Sequence, residues 1–157
     1  MQLMVRQWSP DWPARLQGSE CPACGGTRVD EDDHGIRIYS TNITDAYLQK
    51  SPIRPGHSTV VWRGRHVAEP TELAPEEAAS YWLDVLKVGA ALEHHYRPAK
   101  MNYLTLGNAM PHLHTHIVPR PWDDEEAAGP FTFRLDVPAI AKPDLLNHVD
   151  ALRKALS

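Results

Sequence analysis

Histidines occupy every second position of residues 112–116, in a short segment that runs to residue 118. Successive side chains of a β-strand point to opposite faces of the sheet, so this spacing places His112, His114 and His116 on one face. Imidazole is the side chain best suited to act as a nucleophile, a proton donor or a metal ligand near neutral pH. The segment therefore predicts a reactive site, in which the three histidines either carry out catalysis or together hold a catalytic metal ion.

Two cysteines, Cys21 and Cys24, have the spacing of a zinc knuckle. One such pair supplies only half of a tetrahedral site, so two further ligands would have to come from elsewhere in the chain. Two cysteines are too few for a disulfide scaffold, and the sequence around them lacks the βαβ pattern of a thioredoxin-like redox site. A zinc site and a pair of reduced structural cysteines are the alternatives.

The elements that must position these residues follow from hydrophobic periodicity and from turn-forming residues. Strands are predicted over residues 36–39, 46–48, 58–62, 101–106 and 112–118. A long helix is predicted for residues 75–96, because Pro75 suits the first helical position and the two acids after it suit the positive helix end. A second helix is predicted over residues 143–156. This combination is the α+β class with an antiparallel sheet.

The predicted long helix carries side chains suited to a core at alternating steps of four and three residues, which indicates one buried stripe. The stripe consists of Ala78, Trp82, Val85, Gly89, Leu92 and Tyr96. Pro98 cannot continue a helix and ends it. We therefore expect this helix to pack along the sheet with the stripe toward the core.

The composition is that of an ordinary globular protein. The chain has 157 residues, of which 42% are hydrophobic and 23% charged, with a formal net charge of −4. We expect an irregular N-terminal arm over residues 1–19 and a single domain over residues 20–157. The charge distribution argues against a nucleic-acid-binding surface, and no segment is apolar for long enough to span a bilayer. Because Pro10 and Pro13 interrupt the first residues and no signal-peptide core is present, we expect a cytoplasmic protein.

Residues 107–120, with the sequence GNAMPHLHTHIVPR, resemble the signature of the histidine triad (HIT) superfamily. Pro55-Gly56-His57 followed by an apolar strand resembles the second strand motif of that family, and the long helix between the two motifs matches as well. The resemblance covers roughly residues 21–120 and is to the zinc-knuckle-containing, bacterial-type HIT hydrolases. It implies a HIT-like antiparallel half-barrel sheet with one long helix, here followed by a C-terminal helix, and a homodimer.

The resemblance also implies the roles of the catalytic residues. His114 would be the nucleophile that attacks the α-phosphorus and forms a covalent nucleotidyl-histidine, which water or another acceptor then resolves. His116 would donate to phosphate oxygens or to the leaving atom. His57, from a neighbouring strand, and His112 would complete the catalytic group.

The substrate-binding residues that the resemblance implies depart in part from the family pattern. Asn108 and the backbone amides of the turn at Gly107 would bind the charge that develops on the phosphoryl oxygens. Gln49 stands where the family usually has the Asp or Asn that holds the ribose hydroxyls, and a glutamine can still hydrogen-bond a diol. Ala109 stands where many relatives have Ser or Thr. A nucleotide-like small molecule is therefore expected, with its phosphate recognised more strictly than its sugar.

For the cysteine pair, the resemblance implies a Cys₂His₂ site that holds one structural zinc ion per chain. The ligands would be Cys21, Cys24, His66 and His112. His66 lies one residue further along the chain than the family pattern leads us to expect, which implies a small bulge after the preceding strand. In this interpretation the zinc ion has no open coordination position and connects the N-terminal knuckle to the catalytic strand.

The function that these residues predict is a nucleotide hydrolase acting on a phosphoanhydride or a phosphoramidate. A transferase or phosphorylase, which passes the nucleotidyl group to phosphate or a sugar phosphate, is the first alternative. A non-catalytic nucleotide-binding regulator is the second. The intact His114 argues against the regulator, and His116, which is often altered in the transferases, favours hydrolysis.

Overall fold

The computed structural model describes residues 7–26, 28–134 and 136–157 and contains a five-stranded antiparallel sheet. The strands are β1 (Gly35–Ser40), β2 (Thr44–Gln49), β3 (Ser58–Trp62), β4 (Lys100–Leu104) and β5 (His114–Arg120). They lie in the order β1-β2-β3-β5-β4, so the sheet is open and β1 and β4 form its edges. The α-helices are α1 (Trp12–Leu16), α2 (Pro22–Gly25), α3 (Pro75–Tyr96) and α4 (Lys142–Leu156), and a 3-10 helix spans Pro70–Glu72.

The predicted α+β class, with an antiparallel sheet, one long helix and a C-terminal helix, is confirmed. The predicted last strand was wrong at both ends, because β5 begins at His114 and continues through Pro119. Strand β3 pairs with β5 only between His114 and Ile117, so β4 is the one strand that pairs with Pro119 in the described part of the chain. A missing backbone N–H is tolerated where a strand is paired on one side only.

The N-terminal arm was predicted to be irregular, but its described part contains the short helix α1. Pro13 lies in the first turn of this helix, where its fixed backbone angle is favourable. Asp11 and Arg15 form an ion pair at 2.8 Å with helical spacing, and the rings of Trp8 and Trp12 lie 4.7 Å apart. These local contacts explain a helix where the sequence showed no apolar periodicity.

Helices α3 and α4 pack on one face of the sheet, and the core lies between them. The buried stripe predicted for α3 was wrong at Trp82, which is 37% exposed, whereas its neighbour Tyr81 is completely buried. Tyr81 can be buried because its hydroxyl group lies 2.8 Å from Thr115 Oγ1 on β5, which satisfies the polar atom. Val85 and Leu92 are buried as predicted.

The alternation of side chains along the strands divides the sheet into a helix-covered face and an opposite face. The core on the covered face includes Ala46 and Leu48 from β2, Val60 and Trp62 from β3, and Ile117 from β5. The residues that alternate with these along each strand point to the opposite face. On β5 they include His114 and His116. Among the residues that the structure describes, no helix has the length and apolar character needed to cross a membrane.

Candidate active site

The candidate catalytic side chains come from β5, from the start of β3 and from the connection that precedes β3. His114 and His116 project from β5 on the face opposite the helices, while Leu113 and Thr115 are buried on the covered side. This separation of faces was predicted and is present. Thr59 of β3 lies directly opposite His116 in the strand pairing, so β3 supplies the neighbours of that histidine.

The tautomer of His114 follows from its hydrogen bond to the backbone. His114 Nδ1 lies 2.7 Å from the carbonyl oxygen of His112. A carbonyl oxygen can only accept, so Nδ1 carries the proton and Nε2 carries a lone pair. Burial lowers the pKa of His114, which keeps the ring neutral near pH 7. His114 therefore has the protonation state that a nucleophile requires.

His116 obtains the opposite tautomer from a chain of hydrogen bonds. The backbone N–H of Ile53 makes a long hydrogen bond, 3.5 Å, to His57 Nδ1, so the proton of His57 lies on Nε2. His57 Nε2 lies 2.9 Å from His116 Nδ1 and donates to it. The proton of His116 consequently lies on Nε2. The ring centroids of His114 and His116 are 5.0 Å apart, so one ring offers a lone pair and its neighbour offers a donor.

Burial also keeps the other two rings uncharged. Removal from water lowers the pKa of His57 to about 4. The same cause, reinforced by the neighbouring His57 and His114, lowers the pKa of His116 to about 3. At neutral pH the site therefore consists of neutral imidazoles, so the two ring tautomers persist under working conditions.

His57 is held in place by the turn that precedes β3. Gly56 adopts a positive φ of +87°, and a Cβ atom at this position would collide with the ring of Tyr96 and with Pro119. Only glycine fits both the backbone angle and the available space. His57 itself is buried, with 5% of its surface exposed.

Thr59 was not among the predicted site residues, and Gln49 has a partner that was not expected. Thr59 Oγ1 lies 3.3 Å from His116 Nδ1, and Gln49 Nε2 donates to Thr59 Oγ1 at 3.0 Å. Gln49 is thus directed toward the triad through its amide nitrogen. The alternation of faces could have identified Thr59, because it lies two residues after His57, which immediately precedes β3.

The predicted phosphate-binding residues lie in the loop between β4 and β5. Gly107 has a φ of +75°, which favours glycine and accounts for the turn. Asn108 is exposed in this loop, and within the described parts of the chain its side chain makes no hydrogen bond to the triad. Their roles in binding phosphate stay predictions.

His112 does not join the other two triad histidines. It precedes β5, its ring is completely buried, and its Nε2 donates to the carbonyl oxygen of Trp62 at 2.7 Å. Its Nδ1 lies 3.4 Å from the sulfur atoms of both Cys21 and Cys24. The expectation of three histidines projecting together was therefore wrong for His112, and so was the alternative of one metal ion held by all three. The carbonyl group of His112 nevertheless orients His114.

The two cysteines, His66 and His112 form a cluster whose donor atoms all lie within 4.8 Å of one another. His66 Nδ1 is 3.3 Å from the sulfur of Cys24, and His66 Nε2 is 3.2 Å from the carbonyl oxygen of Leu16. Gly64, at a φ of +121°, lies in the bend that brings His66 here, which agrees with the extra residue noted in the sequence.

The donor set of this cluster fits a structural zinc ion. In both histidines Nδ1 faces the sulfurs while Nε2 is occupied by a backbone carbonyl, and such a second contact usually fixes a metal-bound histidine. The sulfur–nitrogen separations of 3.3 and 3.4 Å are close to the roughly 3.6 Å expected between ligands of a tetrahedral zinc ion. Burial, followed by the hydrogen bond from Cys21, raises the pKa of the Cys24 thiol to about 11. A bound cation would reverse that shift and ionise the thiol.

The antiparallel sheet with its long helix and the histidine pair of β5 are the features expected of a HIT domain. Comparison with known sequences identifies the same domain. The sequence model of the HIT domain matches residues 31–122, which is more than half of the chain. The chain therefore belongs to the HIT family.

Its curated relatives include nucleotide hydrolases. A bifunctional bis(5'-adenosyl)-triphosphatase/adenylylsulfatase of Arabidopsis thaliana is 32% identical over 94 residues, covering 57% of this chain and 52% of the relative. An asymmetrical bis(5'-nucleosyl)-tetraphosphatase of Schizosaccharomyces pombe is 31% identical over 88 residues, covering 53% of this chain and 48% of the relative. The chain thus spans about half the length of the curated relatives it matches.

Solved structures show the same fold. A histidine triad protein of Bradyrhizobium japonicum superposes with a TM-score of 0.72 at 23% identity, covering 80% of this chain and 92% of that one. A zinc-bound histidine triad family protein of Mycobacterium smegmatis superposes with a TM-score of 0.59 at 25% identity, covering 78% of this chain and 84% of that one.

Proposed function

We propose that this protein hydrolyses a nucleotide phosphoanhydride or phosphoramidate through a covalent nucleotidyl group on His114. The observation that carries the proposal is the 2.7 Å hydrogen bond between His114 Nδ1 and the carbonyl oxygen of His112. It leaves the Nε2 lone pair available beside a second histidine with the complementary tautomer. The nucleotide hydrolases among the relatives support a nucleotide as the substrate.

The reaction proceeds in two displacements at the same phosphorus atom. In the first, His114 Nε2 forms a bond to phosphorus while the bond to the leaving group breaks. His116 Nε2–H donates a hydrogen bond to the leaving atom as its negative charge develops, and the leaving group takes its proton from water. In the second, water attacks phosphorus, the bond to His114 breaks, and the ring returns to its neutral state as a proton is released to solvent.

Trapping the covalent intermediate tests this proposal. Rapid quenching in alkaline detergent during turnover of an α-³²P-labelled nucleoside phosphoramidate should yield labelled protein, with the label on the peptide that contains His114, because a phosphorus–nitrogen bond to histidine survives alkali but not acid. Added inorganic phosphate should leave the nucleoside monophosphate as the product. A nucleoside diphosphate formed only with phosphate present would identify a phosphorylase instead. Tight nucleotide binding without label or turnover would identify a regulator.

Substitution of His116 has an effect that depends on the leaving group. We expect His116→Ala to reduce kcat/KM by about 10²-fold or more for a basic leaving group such as an amine, and by much less for a weakly basic phenolate. The reason is that more negative charge accumulates on a more basic leaving atom. The measurement is kcat/KM over a series of esters and amidates of one nucleotide. An equal loss for every leaving group would contradict the donor role.

The sugar and phosphate contacts proposed for this site come from Gln49, Gly107 and Asn108. The amide nitrogen of Gln49 already donates to Thr59, which leaves its carbonyl oxygen to accept from a ribose hydroxyl. One acceptor holds a diol less firmly than a carboxylate does, so we infer that the sugar is recognised less strictly than the phosphate. The measurement is kcat/KM for matched ribo and deoxyribo substrates. A preference for ribose of about a hundredfold would contradict weak recognition of the sugar.

We further propose that Cys21, Cys24, His66 and His112 hold one structural zinc ion, as expected of a zinc-knuckle HIT hydrolase. The geometry of the donor atoms and the zinc-bound relative of Mycobacterium smegmatis support this assignment. The ion would supply folding energy and a fixed position for His112. It would take no part in the reaction, because four protein ligands leave no position for substrate.

A homodimer also stays a proposal. The edge strand β4 and the adjacent part of α3 expose large apolar side chains, including Leu83, Leu86 and Tyr103. Contact with a second copy would cover these side chains and pair the free edge of the sheet. Sedimentation analysis of the purified chain distinguishes a dimer from a monomer.

A further inference from the structure

The connection between β5 and α4 brings a phenyl ring against the triad. The ring centroids of Phe133 and His116 are 5.5 Å apart, with the two planes inclined at 70°. Phe133 is 42% exposed, although its ring packs at 5.3 Å against that of Phe131, which is 8% exposed. A phenyl ring that contacts a triad histidine and is still half exposed has surface available to a bound substrate.

A charged network holds the segment before this ring in place. Asp124 accepts two hydrogen bonds from Arg54, at 2.8 and 3.0 Å, and another from Arg120. These bonds, with those from Arg54 contributing most, hold the pKa of Asp124 far below its usual range. The carboxylate of Glu126 accepts from Arg54 at 2.8 Å and from the hydroxyl group of Thr132, the residue before the ring, at 2.9 Å. These hydrogen bonds therefore hold the loop that carries Phe133.

The arginines of the network carry no unpaired charge. Arg54 and Arg120 are both paired with carboxylates, so they are neutralised where they lie. Arg134, which follows the ring, is exposed and pairs with Asp136. The exposed part of the Phe133 ring is itself apolar, and it favours an uncharged planar or apolar group over a phosphate.

The proposed function, on which this inference rests, places His116 next to the leaving atom. A substituent on that atom would then lie against the neighbouring phenyl ring. We propose that Phe133 is a specificity-determining residue that selects leaving groups with an uncharged aromatic or apolar substituent. The corresponding substrate class is a nucleoside phosphoramidate or phosphoester with such a substituent, in preference to an anhydride whose leaving group is inorganic phosphate or pyrophosphate.

A matched pair of substrates tests this role in the full chain. The N-(2-phenylethyl) and N-allyl amidates of the same nucleoside monophosphate release amines of similar basicity, so their kcat/KM ratio reports contact with the phenyl group. We expect the wild-type protein to prefer the phenylethyl amidate by about tenfold. Phe133→Ala should abolish the preference mainly by slowing the phenylethyl substrate, while Phe133→Leu, which stays apolar, should retain part of it.

The control variant is Trp122→Ala, which removes an aromatic side chain that is 82% exposed from the same connection. It should leave the ratio unchanged, and all variants should keep the wild-type thermal midpoint. Equal losses for both amidates in Phe133→Ala would overturn the proposal, as would a wild-type protein that hydrolyses both amidates equally well. If the wild-type protein forms no adduct and hydrolyses neither amidates nor anhydrides, the proposed function is overturned, and the role of Phe133 with it.

Discussion

Replacement of His114 by alanine is expected to reduce kcat by at least about 10³-fold, the order of loss that follows removal of a covalent nucleophile. The lone pair on Nε2, which forms the bond to phosphorus, is lost with the ring. The strand should remain in place, because Leu113, Thr115 and Ile117 pack against the core from its other face. We therefore expect the free energy of unfolding to change by less than about 1 kcal/mol. Steady-state kinetics and urea unfolding provide the two measurements.

His94→Ala is the matched control, because His94 is exposed on α3 and lies outside the triad. This variant should keep the wild-type rate and the wild-type stability. The labelled adduct should be absent from His114→Ala and present in His94→Ala. A folded His114→Ala protein with near wild-type turnover would show that another group attacks phosphorus, and the proposed mechanism would have to be abandoned.

The second large effect is expected on removal of zinc. Metal analysis of protein purified without chelators should find one zinc ion per chain, and chelation should lower the thermal midpoint by about 10 °C or more. The size follows from linkage: free zinc at a thousand times its Kd stabilises the folded state by about 4 kcal/mol, and each kcal/mol shifts the midpoint by roughly 2–4 °C at this chain length. The cluster joins α2 to the turn after β3 and to the residues before β5, which explains a global effect.

Cys24→Ser and His66→Ala should each lower the zinc content and the thermal midpoint, whereas His34→Ala, at an exposed histidine outside the cluster, should change neither. Activity should decline together with the folded fraction. Protein that contains no zinc as purified would contradict the assignment. Activity that disappears on chelation while the thermal midpoint stays constant would contradict a purely structural role.

Much of the fold was predictable because it depends on local patterns. The long helix was predicted with the bounds that it has, since a proline, two acids and a continuous apolar stripe define it without reference to the rest of the chain. The alternation that separates His114 and His116 from Thr115 is likewise a property of a single strand. The family also followed from the sequence, because its signature lies in contiguous residues.

The predictions were wrong where the orientation of a side chain or the length of a strand depends on residues that are distant in the sequence. Periodicity alone could not choose between Tyr81 and Trp82, which are adjacent on α3. Thr115, on another element, decided the choice by satisfying the buried hydroxyl group. The end of β5 at Arg120 depended similarly on its pairing with Lys100 of β4, which no local pattern records.

The sequence by itself singled out the candidate catalytic residues and placed His114 and His116 on one strand, and its family resemblance named four ligands compatible with zinc. The tertiary structure decided how the histidines are divided. His112 turns its ring to the cysteines and offers its carbonyl oxygen to His114, whereas His57 donates to His116. It also placed Phe133 beside the triad. The physical reason is that hydrogen bonds and ring contacts are formed between segments that meet only in the folded chain, and these contacts select both the orientation and the tautomer of each imidazole.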